Sequence, residues 1–259
     1  MSPELRRGRH AFTLLEALVA CVIGVVITVV TATALVSASR VLTKSSGRDA
    51  ATRELHRARA ALTRDLSQVR LQPDAFRSQP APASLGGGAD GDYLNFLSAV
   101  NITSGAQQPL EDGSGNPYLF VNVFYYPTIP SNHDALFGQS CTGGNNGGYD
   151  DQCAHKILLR CVEDQNPAYD PSDPGTQDVL HPGLTGLMTR PINFPKTPTR
   201  TTVGINLLTF RAQTLPGELR ITLKAVSLAE ARRKLALGTT SLDSSRFTLE
   251  QVFSVFPRS

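Results

Sequence analysis

Residues 17–39 form a run of 23 positions without a charge, dominated by Val, Ala, Leu, Ile and Thr. A helix of that length reaches about 35 Å at 1.5 Å per residue, enough to cross a bilayer core of about 30 Å. The pattern then changes character. Ala51, Leu55, Ala58, Leu62, Leu66 and Val69 recur at steps of three and four, which traces a single apolar face of a helix with polar positions around it. No proline stands between Phe12 and Gln72, and Pro73 ends the run. These patterns predict one continuous helix over about residues 13–70, on the order of 85 Å long. No later segment is apolar for a spanning length, so the rest of the chain is expected in water on one side of the membrane.

After Pro73 the period changes from helical to alternating. Segments 93–98, 119–126, 156–162, 203–210, 219–226 and 247–256 are rich in β-branched and aromatic residues and bounded by Gly, Pro or Asn clusters, so each is predicted as a strand. A helix followed by a run of strands predicts an α+β fold, with an antiparallel sheet against the apolar stripe of the helix. Residues 79–91, rich in Pro, Ala, Ser and Gly, read as a surface connection. Ser227, Leu228, Ala229 and Glu230 have the pattern of a capping box, opening a short helix that Gly238 would close.

Composition narrows the class. Hydrophobic residues make up 41% and charged residues 18% of the 259, which excludes wholesale disorder and a polytopic membrane protein. A net charge of +3 is too small to argue for nucleic acid by itself.

The N-terminus has a distinct order. Arg6, Arg7 and Arg9 come first, then Ala11-Phe12-Thr13-Leu14-Leu15-Glu16, and only then the apolar run. A secretory signal would instead place a short apolar stretch before a small-residue cleavage site. The order resembles the prepilin signal of type IV pilins and type II secretion pseudopilins. The resemblance implies a basic leader (residues 1–11) cut between Ala11 and Phe12 by a membrane aspartyl peptidase, followed by N-methylation of Phe12. The family usually has glycine before the cut, where this chain has Ala11, a small residue of the same kind; a cut after Gly8 would displace Glu16 from the family's acidic position. The retained helix would comprise a membrane and filament-core half (residues 12–39) and an exported half (40–72). Residues 73–259 would form a β-rich head, completing the pilin lollipop.

Glu16 stands at the threshold of the apolar run, where a carboxylate is costly unless partnered. The resemblance implies that it registers the subunit during assembly by meeting the N-terminal amine of a neighbour. The plainer reading is a carboxylate snorkelling to the headgroups at a helix N-terminus, where the helix dipole favours it. Charge counting leaves topology open, because Arg40, Lys44, Arg48, Arg53, Arg57, Arg59, Arg64 and Arg70 follow the span against Asp49, Glu54 and Asp65. The resemblance places the leader in the cytoplasm and the bulk outside the inner membrane. The basic face of Lys44, Arg48, Arg53, Arg57 and Arg64 reads as solvated, with DNA phosphates, lipid headgroups or acidic neighbours as alternatives; no aromatic residue interleaves its arginines for base stacking.

Length, the Leu215-Pro216-Gly217 turn and a final strand at the chain end are similar to larger minor pilins and J-type minor pseudopilins. Among the cysteines, Cys21 lies in the apolar run and reads as a small hydrophobe. Cys141, Cys153 and Cys161 would be exported, where disulfides persist. Cys141 and Cys153 flank a Gly- and Asn-rich loop and are the favoured bridge, with Cys161 a buried thiol; the other pairings stay open.

No catalytic arrangement is visible. His10, His56, His133, His155 and His181 are scattered, and there is no Gly-x-Ser-x-Gly, His-Glu-x-x-His or Gly-Lys-Ser/Thr motif. The acidic loops at 111–116, 145–151 and 170–178 read as solvated turns, with Ca²⁺ as the alternative. No cofactor, metal or enzymatic activity is therefore expected. The sequence reads as a structural subunit of a type IV pilus or secretion pseudopilus, most consistent with a minor, initiating or accessory pilin. Its partners would be other pilin subunits, the prepilin peptidase, the inner membrane and the assembly platform. A membrane-anchored exported enzyme or receptor that uses the helix as a tether is the first alternative. A DNA-uptake pilin, with nucleic acid as partner, is the second.

Overall fold

A computed structural model describes residues 13–80, 92–99, 110–119, 121–128, 156–163, 170, 172–181, 199–227 and 248–257. Helix α1 (Leu14–Leu66) is unbroken over 53 residues, passing through Gly24 and Gly47. It stops a turn earlier than the sequence pattern suggests. Ser67 Oγ donates to the Arg64 carbonyl, a group that the next helical amide would otherwise have taken, and Val69 is buried beyond the helix end. The chain divides into two compact units, Met1–Ser46 and Gly47–Ser259.

In the second unit the strands are β1 (Phe76–Pro80), β2 (Asp92–Ser98), β3 (Val121–Thr128), β4 (Lys156–Glu163), β5 (Thr199–Leu215), β6 (Glu218–Val226) and β7 (Thr248–Val255). They form one antiparallel sheet in sequential order, each strand paired with the next. This is the expected α+β arrangement, and all six anticipated strands are present. β1 was not anticipated. Its sequence, Phe-Arg-Ser-Gln-Pro, has little strand propensity, and what makes it a strand is its full-length pairing with β2.

The helical stripe read from the sequence is the buried one: Ala51, Leu55, Ala58, Leu62 and Leu66 are all at most 5% exposed. They share a core with alternate residues of the sheet, among them Leu94 and Phe96 of β2, Val123 and Tyr125 of β3, and Phe210 of β5. Within that stripe lies Asp65, also buried, a charge where the pattern suggests none. Its Oδ2 accepts hydrogen bonds from Arg160 Nε of β4 at 2.5 Å and Tyr125 OH of β3 at 2.7 Å, and its Oδ1 accepts one from Arg64 at 2.9 Å. Burial opposes the Arg160 charge, but the Asp65 carboxylate outweighs it and leaves the guanidinium more basic than usual. Burial and the same carboxylate push the Tyr125 phenol well above its ordinary range. One carboxylate thus pins the helix to two strands.

On the other face of the sheet, Tyr93, Phe124, Tyr126 and Cys161 form a second buried cluster. The segment at residues 178–181 lies over this face. Asn122 Oδ1 accepts the His181 amide, Asn122 Nδ2 donates to the Val179 carbonyl, and Asn95 Nδ2 donates to the His181 carbonyl. The His181 ring meets Phe124 edge-on at 5.7 Å. Buried asparagines in β2 and β3 therefore supply the partners that a non-repetitive segment needs.

β5 is long because it serves two neighbours. Residues 199–207 pair with β4 and residues 207–215 with β6, and the switch falls at register shifts beside Asn206, whose φ is 57°. Asparagine tolerates that left-handed conformation better than most residues. Beyond the reach of β4, the Ala212 amide donates to Asp92 Oδ2 at 2.7 Å and its carbonyl accepts Ser78 Oγ at 3.2 Å. Side chains of β2 and β1 thereby close an otherwise open stretch of β5 backbone and hold the curl of the sheet. The β5–β6 hairpin turns on Pro216 and Gly217; the glycine φ of 71° is the value its place in such a turn demands.

The helix approaches β5 closely. The Ile205 amide donates to Glu54 at 3.1 Å, and Arg57 donates to the Thr202 carbonyl at 2.9 Å. A Cβ added to Gly204 would lie 3.2 Å from Ala58 Cβ and 3.1 Å from Leu207 Cδ1. Gly204→Val is therefore expected to lower stability by about 1–3 kcal/mol through overpacking. Thermal unfolding of the full chain in detergent checks this; an unchanged midpoint would mean that the helix can retreat freely.

Candidate assembly segment

Thr13 precedes the first residue of α1, and Glu16 sits in its first turn. Thr13 Oγ1 accepts the Glu16 amide at 3.3 Å. Glu16 Oε2 in return accepts the Thr13 amide at 2.9 Å and its hydroxyl at 3.0 Å. This is a reciprocal capping box, which satisfies amides that a helix start leaves without partners. The Thr-x-x-Glu spacing that announces it is present in the sequence, and Thr13 is the residue missed there. Oε1 of Glu16 has no hydrogen-bond partner among the described residues.

From Thr13 to Ser46 every residue is exposed within the chain, including Leu14, Leu18, Val22, Val25, Val29 and Val36. α1 is long and apolar enough to cross a membrane. Its polar atoms are managed internally. The hydroxyls of Thr28, Thr31, Thr33 and Thr43 donate to the carbonyls of Gly24, Ile27, Val29 and Ser39, four residues back, at 2.8–3.0 Å. A threonine bonded in this way needs no water, so the segment suits an apolar medium. An apolar surface of this extent must be covered by lipid or by other helices.

The other sequence-predicted residues divide as follows. Ala11 and Phe12, at the expected cut, lie outside the described residues, as do Cys141 and Cys153 and the short helix expected after Ser227. Cys21 is exposed on the apolar helix, and Cys161 is a free, buried thiol on β4. Arg57 of the basic face turns to the sheet, as does Arg59, which stacks on the Phe253 ring at 5.4 Å. In the acidic loops, Asp112 accepts the amides of Ser114 and Asn116, and Asp170 accepts the amide and hydroxyl of Ser172. Those carboxylates cap turns. Among the described residues no three His, Cys, Asp or Glu side chains come together as metal ligands.

Burial pushes the Cys161 thiol up to about 11. A thiol acid whose folded pKa is raised contributes full stability below its unfolded value of about 9 and loses it as pH rises toward 11. The urea midpoint is therefore expected to fall between pH 9 and 11 more steeply in the native chain than in Cys161→Ala. Parallel declines would contradict the burial.

The prokaryotic N-terminal methylation motif matches residues 6–32, which contain Arg6, Arg7, Arg9, Phe12, Thr13, Glu16 and the apolar run as far as Ala32. The match covers this segment alone, whose order of arginines, Phe-Thr-Leu-Leu-Glu and apolar run is similar to the start of type IV pilin-like and pseudopilin precursors. The apolar N-terminal helix of the chain fits the membrane anchor of such a precursor. No similar curated protein and no similar solved structure was found.

Proposed function

We propose that the protein is a minor, initiating or accessory, subunit of a type IV pilus or type II secretion pseudopilus. Its role is assembly, with no catalytic step of its own. The observation that carries this reading is the apolar half of α1, exposed along its whole length and equipped at its start with a capped glutamate. In the membrane that surface is covered by lipid; in a filament, helices of other pilin subunits take the place of lipid.

In this reading the prepilin peptidase cuts between Ala11 and Phe12, Phe12 is methylated, and the assembly platform extracts the subunit from the inner membrane. Glu16 then has two tasks. Oε2 holds the helix start through Thr13, while Oε1 is left for the amine of a neighbouring subunit. The curled sheet and its loops form the head that meets unlike partners.

N-terminal mass spectrometry of membrane and sheared-filament fractions tests the proposal. The expected mature chain begins at N-methylated Phe12 and is present in both fractions. An uncut Met1 or Ser2 start in both would reduce the helix to a tether.

A further inference from the structure

Three stretches of strand backbone lie at an edge of the sheet, and two of them are served from within the chain. β1 is short, ends in Pro80 and reaches the β5 backbone through Ser78. The side of β5 that faces away from β4 is met by Glu54 and Arg57 of α1, at Ile205 and Thr202. β7 differs. Among the described residues no strand pairs with its outer edge, and no side chain bonds to the backbone of residues 249–255. We propose that this edge receives an extended strand of an unlike pilin subunit, which adds one more strand to the sheet. The proposal names the partner surface of the accessory-subunit reading and rests on that reading.

β7 lacks the devices by which edge strands refuse a partner. Its sequence, Thr-Leu-Glu-Gln-Val-Phe-Ser-Val, has no proline, lysine or glycine. Its one charge, Glu250, is engaged by Lys224 of β6 at 3.6 Å. The register with β6 runs unbroken from Leu219↔Val255 to Val226↔Thr248, so no bulge twists the edge away. A regular edge of low charge is a template for another strand.

Side chains on the two faces define what fits there. Val252, and Phe256 just beyond the strand, are 53% and 70% exposed on one face, while Phe253 and Val255 are buried on the other. A strand laid alongside gains main-chain bonds along its length, and it covers Val252 best with β-branched or aromatic residues at alternate positions. The partner is therefore an extended, weakly charged segment of that pattern. A second copy does not supply it. Pairing β7 with its own copy about a two-fold axis would turn the two α1 helices, each packed along its sheet, in opposite directions, and one membrane cannot anchor both.

Residue-resolved amide exchange of the full chain in detergent is the first test. Neighbouring residues of a strand aim their amides to opposite sides, so one of Gln251 and Val252 faces β6 and the other faces outward. The outward amide is expected to exchange roughly a hundredfold faster or more. Equal protection of both would mean that the edge is already covered, and would overturn the proposal. Proline is then placed at the outward position, as Gln251→Pro or Val252→Pro, where it takes no bond from the β6 ladder. That variant should keep its thermal midpoint and its membrane level, yet fall in sheared filaments of the native host by about tenfold; alanine at the same position should assemble normally.

Photocrosslinking does not depend on tolerance of the proline. Benzoylphenylalanine in place of Val252 and, separately, of Ser254 should join sites two residues apart in one partner chain. Four outcomes would overturn the strand contact and leave the subunit reading intact: a proline variant that assembles like the native chain, an alanine variant that fails as badly as proline, crosslinks to a second copy alone, and crosslinks scattered over several chains. A native chain absent from filaments would overturn both.

Discussion

Glu16→Ala is expected to remove the protein from sheared filaments by roughly tenfold or more while its level in the membrane stays near normal. The size follows from leaving a charged partner without its counter-ion in an apolar surrounding. Alanine also loses the capping bonds to Thr13, so the result alone would not separate helix initiation from charge pairing. Glu16→Gln makes that separation. A glutamine serves in a capping box but carries no charge. If pairing with a neighbour's amine matters, the glutamine variant should be lost from filaments nearly as completely as the alanine variant. If it assembles normally while alanine fails, the carboxylate serves only to start the helix. If both assemble and function normally, the helix is a plain tether and activity must be sought in the head.

The largest effect on stability is expected at Asp65. Asp65→Ala leaves the Arg160 guanidinium buried without its carboxylate and takes away the acceptor of Tyr125. Breaking a buried ion pair from one side costs about 3–5 kcal/mol. For a domain of this size that corresponds to a fall of about 6–20 °C in the unfolding midpoint, measured by circular dichroism of the full chain in detergent. Asp65→Asn should be nearly as damaging, since the amide can still accept from Tyr125 but cannot balance the charge. Replacing the pair together, as Asp65→Leu with Arg160→Met, should recover much of the loss, because the penalty belongs to the uncompensated charge. A loss below about 1 kcal/mol for Asp65→Ala would mean that water reaches Arg160 and the pair behaves as a surface salt bridge.

Much of the N-terminal segment was legible because its signals are local. Twenty-three uncharged positions, the arginines at 6, 7 and 9, and Phe12-Thr13-Leu14-Leu15-Glu16 lie close together along the chain, and a local motif can be read without knowing what folds against it. The capping box was equally legible, since Thr13 and Glu16 are three apart, yet it takes the hydrogen bonds to show that Glu16 already has a partner in its own chain.

The sequence by itself therefore determined the apolar run, the Phe12 to Glu16 motif, the helical stripe from Ala51 to Leu66 and six of the seven strands among the described residues. Each is carried by periodicity or by neighbouring residues. Only the tertiary structure decided the rest. β1 is a strand because β2 pairs with it, and β5 bends at Asn206 because β4 ends where β6 takes over. Asp65 is buried among leucines because Arg160 and Tyr125, 95 and 60 residues further along, arrive to satisfy it. Hydrogen-bond partners and close approaches such as Gly204 on Ala58 join residues far apart in the chain, and no local pattern records who will meet whom.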